Sequence, residues 1–348
     1  MADTDIEWAD KVWNPVRGCE KVSPGCANCY IERTPPMRMA GRRFVRGEIP
    51  VLLHPERLEE PLRWRKPRMV FTCSMADLFH ADVPDAFIAS IFGVMATASR
   101  HTFQVLTKRP QRMRELLISE AFWAQVGALG PPSMPSFTGG MVEIGRQFGA
   151  GLRNVWLGVS VENQRWADER IPILLDTPAV VRFLACEPLL SGLDLRHLRC
   201  NIGESVDMVL DAFTGRAAAA WSGRATAINL DAPVRTGRID WLICGGESGG
   251  PEKRRLVEQY ASYPAGSSAG IPCWRPKPQA LEWVRSIRDQ CQVASVPFFF
   301  KQWPIPPRKP GGLALIDGRE WSEMPDQTAQ HGEVERWPAA PSTLACPG

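Results

Sequence analysis

Residues 13–30 read WNPVRGCEKVSPGCANCY, a stretch that places Cys19, Cys26 and Cys29 within eleven positions. Glycine precedes the first two cysteines, and Ser-Pro-Gly lies between them. Because Gly and Pro favour tight turns, we expect a loop that brings the three sulfur atoms toward one point. Three clustered thiolates suit a soft metal ion or an iron–sulfur cluster. Such a site leaves one metal position for a ligand from outside the protein.

The composition of the chain is that of a globular protein with a large core. It has 348 residues, of which 44% are hydrophobic and 23% charged, and its net charge is +3. This mild charge does not by itself indicate nucleic acid. With no apolar run of about 18 residues and no signal-peptide core, we expect a cytoplasmic protein that does not enter a membrane. Ten cysteines in a reducing compartment favour metal or redox chemistry over disulfides.

Short apolar runs alternate with amphipathic stretches along the rest of the chain. The runs predict strands near 12–16, 69–73, 102–107, 154–161, 179–185, 239–244 and 296–300, and the amphipathic stretches predict helices near 83–98, 111–126, 164–175 and 278–294. Nearly continuous apolar runs indicate parallel strands that are buried on both faces. The predicted fold is therefore α/β: a TIM-barrel-like parallel (β/α) barrel of six or seven strands, closed only in part.

One domain accounts for residues 1–325 in this prediction. Three polar or small-residue stretches interrupt the strand–helix rhythm and are predicted insertions, at about 128–152, 191–237 and 251–275. An Asp-Gly pair at 317–318 predicts a small hairpin. Residues 326–348 are predicted to be a flexible C-terminal tail.

Polar side chains follow the predicted strands, at the edge where parallel sheets bind ligands. We expect these residues to converge on one mouth: Ser74, Asp77, Lys108, Arg109, Ser160, Glu162, Glu187, Glu247, Ser248, Lys301 and Gln302. Candidate catalytic residues are Glu187, Glu247 and Lys301. Gly245 and Gly246 could let a ligand approach the backbone closely, or could simply form a turn.

Several of these residues also have a structural interpretation. Asp77 could cap the helix that follows it, and Glu162 could complement the dipole of its own helix. Lys108 and Arg109 could neutralise Glu187 or Glu247, or bind a substrate carboxylate or phosphate.

Residues 30–47, here named the basic segment, contain five arginines and no acid after Glu32. This segment is either a solvated basic surface or a phosphate- or carboxylate-binding edge near the cysteines. Its Pro35-Pro36 pair is expected to interrupt any helix. Trp13 and Trp303 flank the proposed mouth and could stack on a base or adenine, or pack at the rim.

The motif WNP followed by the spaced cysteines and Tyr30 resembles the opening of a phage-associated, radical-SAM-like family of uncharacterised function. The same family shows a series of strand ends that match SMADLF at 74–79, LTKRP at 106–110, LGVSVEN at 157–163, CEPLL at 186–190, GGESG at 245–249 and FFKQW at 299–303. The resemblance covers about residues 6–325, apart from the insertions.

This resemblance implies a [4Fe–4S] cluster with Cys19, Cys26 and Cys29 as its iron ligands. S-adenosylmethionine would fill the fourth iron's open position, and an electron donor would drive its cleavage to a 5′-deoxyadenosyl radical that takes a hydrogen atom from substrate. The protein would supply position and a dry site. Ser74, Asp77, Ser160, Glu162, Gly245, Gly246 and Ser248 would be the cofactor-binding residues, and a nucleobase, nucleotide or nucleic acid is the candidate substrate.

Two alternatives remain open at this point. The first is a zinc-containing protein that binds or processes nucleic acid, with His54, His80 or His101 as the fourth ligand. The second is a non-catalytic interaction module on a barrel scaffold.

Overall fold

Seven of the apolar runs form one parallel sheet. The structure is a computed structural model that describes residues 4, 6–131, 152–201, 207–221, 224–225, 237–247, 251–263, 271–304 and 314–326. The strands of the sheet are β1 (Lys11–Trp13), β2 (Met69–Thr72), β3 (Thr102–Thr107), β4 (Val155–Ser160), β5 (Val181–Cys186), β6 (Trp241–Cys244) and β7 (Phe298–Phe300). Each strand pairs in parallel with the next along the chain.

This strand order determines the shape of the sheet. Because every connection moves to the adjacent strand in the same direction, right-handed crossovers put the connecting helices on one face. The result is an α/β fold in which the seven-stranded sheet curls into a half-barrel. Among the described residues, β1 and β7 lie at opposite edges and do not pair. The predicted α/β fold with a parallel, partly closed barrel is confirmed, and its likeness to a TIM barrel remains a prediction.

Six helices accompany the sheet in the described part of the chain. They are α1 (Pro35–Met39), α2 (Asp85–Thr97), α3 (Pro110–Leu117), α4 (Glu120–Leu129), α5 (Gln164–Leu175) and α6 (Pro278–Val293). No helix in these ranges has the length and apolar character needed to cross a membrane.

Two helix predictions were wrong for local reasons. The single helix predicted near 111–126 is instead α3 and α4, because Ser119 separates them and its hydroxyl caps α4 by accepting a hydrogen bond from the Phe122 N–H at 3.3 Å. Pro35 and Pro36 do not interrupt a helix but begin one, at positions whose N–H groups need no intrahelical partner.

Short antiparallel elements lie outside the main sheet. The predicted insertion at 191–237 contains strands Leu198–Asn201, Asp207–Leu210, Ala217–Trp221 and Arg224–Ala225, which form one sheet, and the insertion at 251–275 contains the pair Val257–Tyr263 and Ile271–Pro276. The predicted hairpin is confirmed: Leu315–Ile316 pairs with Arg319–Glu320 around a positive-φ Asp-Gly turn. Most of the insertion at 128–152 and residues 327–348 of the predicted tail lie outside the described residues.

The two faces of the sheet have different cores. Aliphatic side chains pack one face against the helices. The opposite face is filled by an aromatic cluster, in which Trp156 and Trp241 meet edge to face at 5.9 Å and Trp8 meets Trp241 at 6.2 Å. The inside of the half-barrel is therefore packed with side chains, as in closed barrels, and is not a channel. Trp13 and Trp303 are also buried in the core, so packing accounts for both and base stacking does not.

Candidate metal centre at the carboxyl edge of the sheet

The cysteine stretch begins as a strand. Val16–Glu20 pairs antiparallel with Glu48–Leu53, and Cys19 lies in this strand pair opposite Ile49. Gly18 has a φ of +97°, and a Cβ at this position would lie 2.2 Å from the Pro50 carbonyl oxygen, so only glycine fits before Cys19. The structure thus corrects the expectation that Cys19 lies within a loop.

Two short turns carry the other cysteines. Pro24–Cys26 and Tyr30–Arg33 form single 3₁₀ turns, and the Cys29 N–H donates to the Cys26 carbonyl at 3.3 Å. The Gly and Pro content of the stretch predicted these turns. We name residues 19–30 the cysteine loop.

The three cysteines carry free thiols that are partly exposed. Burial, followed by the charge of Asp77, raises the pKa of Cys19 to about 11, while Arg109 opposes the rise. Burial also raises the pKa of Cys29, against a backbone hydrogen bond from Ile31 and the charge of Lys108. Cys26 contributes to the rise at both of its neighbours. The charge of Cys26 therefore acts on both Cys19 and Cys29.

Asn14 attaches the start of the cysteine loop to the end of β2. Its Oδ1 atom accepts hydrogen bonds from the Ser74 hydroxyl and the Met75 N–H, both at 3.1 Å. The hydroxyl of Tyr30 donates to the Ser74 carbonyl. Ser74, predicted to bind a cofactor, therefore bonds Asn14, which precedes the cysteine loop, and Tyr30, which ends it.

Asp77 organises the end of β3. One carboxylate oxygen accepts from the Thr107 hydroxyl at 2.7 Å, and the other accepts from the Lys108 N–H at 2.9 Å and the Arg109 guanidinium at 3.1 Å. Asp77 and Cys19 together hold the pKa of Arg109 above its ordinary value, although burial alone would lower it. Asp77 thus positions a cation beside Cys19 and does not cap α2.

Glu162, which follows β4, fixes the middle of the cysteine loop. Its Oε1 accepts the Gly25 N–H at 3.2 Å, and its Oε2 accepts from Arg170 of α5 at 3.0 Å. Both members of this ion pair are about 1% exposed. Arg170 also donates to the Ser160 carbonyl at 2.8 Å and lies 4.1 Å from the Trp166 ring. Glu162 is therefore not free to serve only a cofactor. The bond at Ser160 engages its backbone carbonyl, and the cofactor role of the Ser160 side chain remains a prediction.

Glu247, which follows β6, fixes the far side of the cysteine loop. Its carboxylate accepts from the Asn28 amide at 3.1 Å and from two nitrogen atoms of Arg254 at 2.7 and 2.9 Å. Arg254 also donates to the Pro24 carbonyl at 2.9 Å. Because Glu247 is bound in this way, positioning the cysteine loop is its structural role, and direct catalysis is the weaker assignment.

Glu187 and Lys301 face each other across the mouth. The Lys301 ammonium donates to a Glu187 carboxylate oxygen at 2.7 Å, and both side chains keep some exposure, at 15% and 23%. Each of the acids Asp77, Glu187 and Glu247 therefore has a different cation as its partner, and Lys108 and Arg109 do not neutralise Glu187 or Glu247.

The two glycines after β6 differ in their surroundings. A Cβ on Gly245 would meet Lys301 and Glu187 at ordinary contact distances of 3.4 and 3.6 Å, so its backbone borders this ion pair. A Cβ on Gly246 would come 2.5 Å from Pro304, so packing explains Gly246 without a ligand. Ser248 lies outside the described residues.

Within the described ranges, no group of three or more His, Cys, Asp or Glu side chains is arranged to hold a metal ion. Tetrahedral zinc needs thiolates roughly 4 Å apart, because each Zn–S bond is about 2.3 Å. A [4Fe–4S] cluster bonds each thiolate to a different iron and accepts wider spacing. Three free, partly exposed thiols are the kind of donor set that a soft metal ion or an iron–sulfur cluster binds.

The three histidines considered as zinc ligands have other surroundings. His101 is buried, bonds the Pro61 carbonyl at 3.1 Å and packs against Trp64. His54 pairs with Glu56 at 2.9 Å, and His80 accepts from the Asp82 N–H at 3.2 Å. Their positions give the zinc alternative no support.

Arg170 and Arg254 were not predicted as site residues. Arg170 is a charged residue on an otherwise apolar face of α5, beside Ala167, Ile171 and Leu174, and this pattern could have indicated a buried partner. Arg254 lies in a segment that the sequence marks only as an insertion, and no local pattern there points to Glu247.

The fold and the site together define an α/β protein in which a three-cysteine loop lies over the carboxyl edge of a parallel half-barrel sheet. A family model described as "Protein of unknown function (DUF5131)" matches residues 3–263 and 265–325. The chain belongs to this family. Comparisons with curated proteins and with solved structures found no match.

The predicted membership of a family of uncharacterised function is thus confirmed. The radical-SAM character and the phage association implied by the resemblance remain predictions, as does the cytoplasmic location.

Proposed function

We propose that this protein is a radical S-adenosylmethionine enzyme in which Cys19, Cys26 and Cys29 would hold a [4Fe–4S] cluster. When bound, the cluster would pass one electron from an external donor to S-adenosylmethionine, giving methionine and a 5′-deoxyadenosyl radical for hydrogen abstraction. A nucleobase, nucleotide or nucleic acid is the proposed substrate class.

The observation that carries the proposal is the way the cysteine loop is held. Glu162, after β4, bonds the Gly25 N–H, and Glu247, after β6, bonds the Asn28 side chain. The segment that carries Cys26 and Cys29 is therefore held at two points. An ordinary surface loop does not need two buried carboxylates, because burying charge is costly unless a role requires it. The free thiols are the reactive groups that this support keeps in place.

The chain's own residues divide into two roles in this proposal. Glu162 and Glu247 position the cysteine loop directly, through Gly25 and Asn28, and Asp77 positions it through Arg109. Glu187 and Lys301 remain accessible at the mouth, with the backbone of Gly245 beside them. An ammonium and a carboxylate at this point could bind the carboxylate and amino groups of an amino-acid cosubstrate.

Anaerobic reconstitution with iron and sulfide tests the proposal. We expect a brown protein with about four irons per chain, absorbance at about 400 nm that dithionite bleaches, and cleavage of S-adenosylmethionine to 5′-deoxyadenosine. Cys26→Ala should lose the cluster and the cleavage. The matched control is Cys273→Ala, because Cys273 is also a partly exposed cysteine but lies in the strand Ile271–Pro276 of the insertion.

A colourless protein that binds one zinc ion would contradict the proposal and favour a zinc-containing nucleic-acid protein. A chain that takes up neither metal would favour the interaction module.

A further inference from the structure

The basic segment has more positive charge than its own acids can neutralise. Arg33, Arg38, Arg43 and Arg46 are exposed and Arg42 is half-buried. The segment's one acid, Glu32, accepts the Phe44 N–H at 2.7 Å. By contrast, the arginines of the site each face a carboxylate. No acidic partner is found within the described ranges for Arg38, Arg42, Arg43 or Arg46.

Both ends of the basic segment are attached to the cysteine loop. Arg33 donates to the Asn28 carbonyl at 3.3 Å. At the other end, the Lys21 N–H donates to the Gly47 carbonyl at 2.7 Å, and the Lys21 ammonium donates to the Ala27 carbonyl at 3.3 Å. The basic segment therefore lies against the cysteine loop, and Cys19 and Cys29 pack against its buried side chains.

The basic segment is a packed surface. Ile31 and Met37 are buried with Ile49 and Met75, and Cys19, Cys29 and Phe44 pack against this cluster. Because its apolar side chains face inward, the segment presents its arginines to solvent in a defined arrangement. Met39 and Val45 remain exposed between the arginines, at 84% and 69%, and Tyr30, which precedes them, is 48% exposed.

We infer that the basic segment binds the phosphate backbone of a single-stranded nucleic acid. Arginine at all five positions favours phosphate groups, which accept two hydrogen bonds from one guanidinium. Exposed apolar and aromatic side chains among cations suit unpaired bases, which stack on such surfaces. The inference rests on the proposed function only in naming that strand as the substrate presented to the mouth.

An anionic membrane surface offers phosphates as well, but the segment fits it poorly. Helices that lie in a membrane interface have a long apolar face opposite a charged one. The one helix here, α1, has five residues, and its most exposed apolar residue, Met39, stands next to Arg38.

The test is the binding of a fluorescein-labelled single-stranded oligonucleotide of mixed sequence, measured by anisotropy over a range of salt concentrations. The variant Arg38→Ala/Arg43→Ala/Arg46→Ala should bind at least about tenfold more weakly at low salt, and the slope of log K against log salt should fall by about 2. The matched control is Arg63→Ala/Arg65→Ala/Lys66→Ala. It removes three exposed charges that precede the amino end of β2, whereas the cysteine loop lies at the carboxyl ends of the strands. The control should bind like the parent.

Equal weakening of the two variants would overturn the inference, because it would show binding to net charge alone. Binding that neither variant weakens would overturn it too, as would capture by phosphatidylglycerol vesicles without oligonucleotide binding. Iron content and S-adenosylmethionine cleavage of the same proteins, measured without oligonucleotide, report separately on the proposed function. A basic-segment variant that keeps both but loses the oligonucleotide supports the inference.

Discussion

Glu162 and Arg170 form an ion pair that is closed to solvent and reaches the cysteine loop. Arg170 donates to Glu162 Oε2 at 3.0 Å, and Glu162 Oε1 accepts the Gly25 N–H at 3.2 Å. Burial lowers the pKa of Arg170, while the charges of Glu162 and Cys26 oppose the change. The pair therefore links α5 to the cysteine loop through one carboxylate.

Replacing one member of this ion pair should destabilise the protein more than replacing both members. Glu162→Gln keeps an acceptor for Gly25 but leaves Arg170 buried without a countercharge, so we expect a loss of about 3–5 kcal/mol in the free energy of unfolding. Glu162→Gln/Arg170→Met should lose clearly less than the sum of the two single variants. Urea unfolding followed by tryptophan fluorescence measures all four proteins, and strictly additive losses would contradict the coupling.

Arg254 should keep the far side of the cysteine loop closed. Arg254→Ala removes two hydrogen bonds to Glu247 and one to the Pro24 carbonyl. We expect iodoacetamide to alkylate Cys26 roughly tenfold faster in the metal-free variant, since a local opening that costs about 1.4 kcal/mol less is ten times more populated. Arg275→Ala is the control, because Arg275 lies in the same insertion and pairs with Glu258 at an exposed site. Equal alkylation rates of Cys26 in the Arg254→Ala and Arg275→Ala proteins would contradict the role of Arg254 in holding the cysteine loop closed.

The reactivity of Cys19 should depend on Asp77. Burial and Asp77 raise the pKa of this thiol to about 11, so it is protonated at neutral pH in the metal-free protein. Asp77→Asn removes a negative charge and the nearer of the two carboxylates that pair with Arg109, and both changes favour the thiolate. The pH midpoint of Cys19 alkylation should therefore fall, by roughly one unit. Peptide-resolved mass spectrometry of alkylation across about pH 8–12 measures this midpoint. An unchanged or higher midpoint would refute the assignment.

Lys301 should act on the reaction and not on cluster binding. Lys301→Met removes the ammonium that faces Glu187 at 2.7 Å and is expected to lower kcat/KM for S-adenosylmethionine cleavage by about 10²-fold. Iron content should not change, because the Lys301 side chain bonds Glu187 and not one of the proposed ligands Cys19, Cys26 and Cys29. Lys301→Arg should recover part of the loss by keeping the charge. A Lys301→Met protein with parental cleavage would remove this residue from the site.

Removing the metal should loosen the cysteine loop and leave the sheet intact. Metal-binding energy adds to folding energy, so chelation should increase hydrogen exchange in residues 24–29. The amides of β3 and β4, which are buried in the centre of the sheet, should keep their protection. Hydrogen-exchange mass spectrometry before and after chelation tests this, and identical exchange in the cysteine loop would argue against any bound metal.

The parallel sheet could be predicted because its information is local. Each central strand is a run of apolar residues, as in Val155–Ser160, where every residue is buried. Helix α5 was predicted at its true bounds because Asn163 precedes it and caps it by accepting the Trp166 N–H at 3.3 Å. The antiparallel strands of the insertions were not predicted, since a run such as 217–220, all alanine, has no strand periodicity.

The site could be predicted only in part, because its partners are chosen in three dimensions. The acids Glu162 and Glu247 were identified from their place after strands. Their cations, Arg170 and Arg254, come from a helix and from an insertion. The separation between Arg254 and Pro24 is 230 positions along the chain, and no periodicity connects them.

The outer edge of β7 bears on the solubility of the chain. Phe298, Phe299 and Phe300 form a bare apolar strand, and the segment around Trp321 and Glu323 occupies its backbone groups: the Phe300 N–H donates to the Trp321 carbonyl at 2.8 Å, and the Glu323 N–H donates to the Phe298 carbonyl at 3.2 Å. During synthesis this strand emerges before its cover does, and an unpaired apolar edge can pair with another chain. The segment around Trp321 and Glu323, which covers this edge, therefore helps the newly made protein to stay monodisperse and not aggregate.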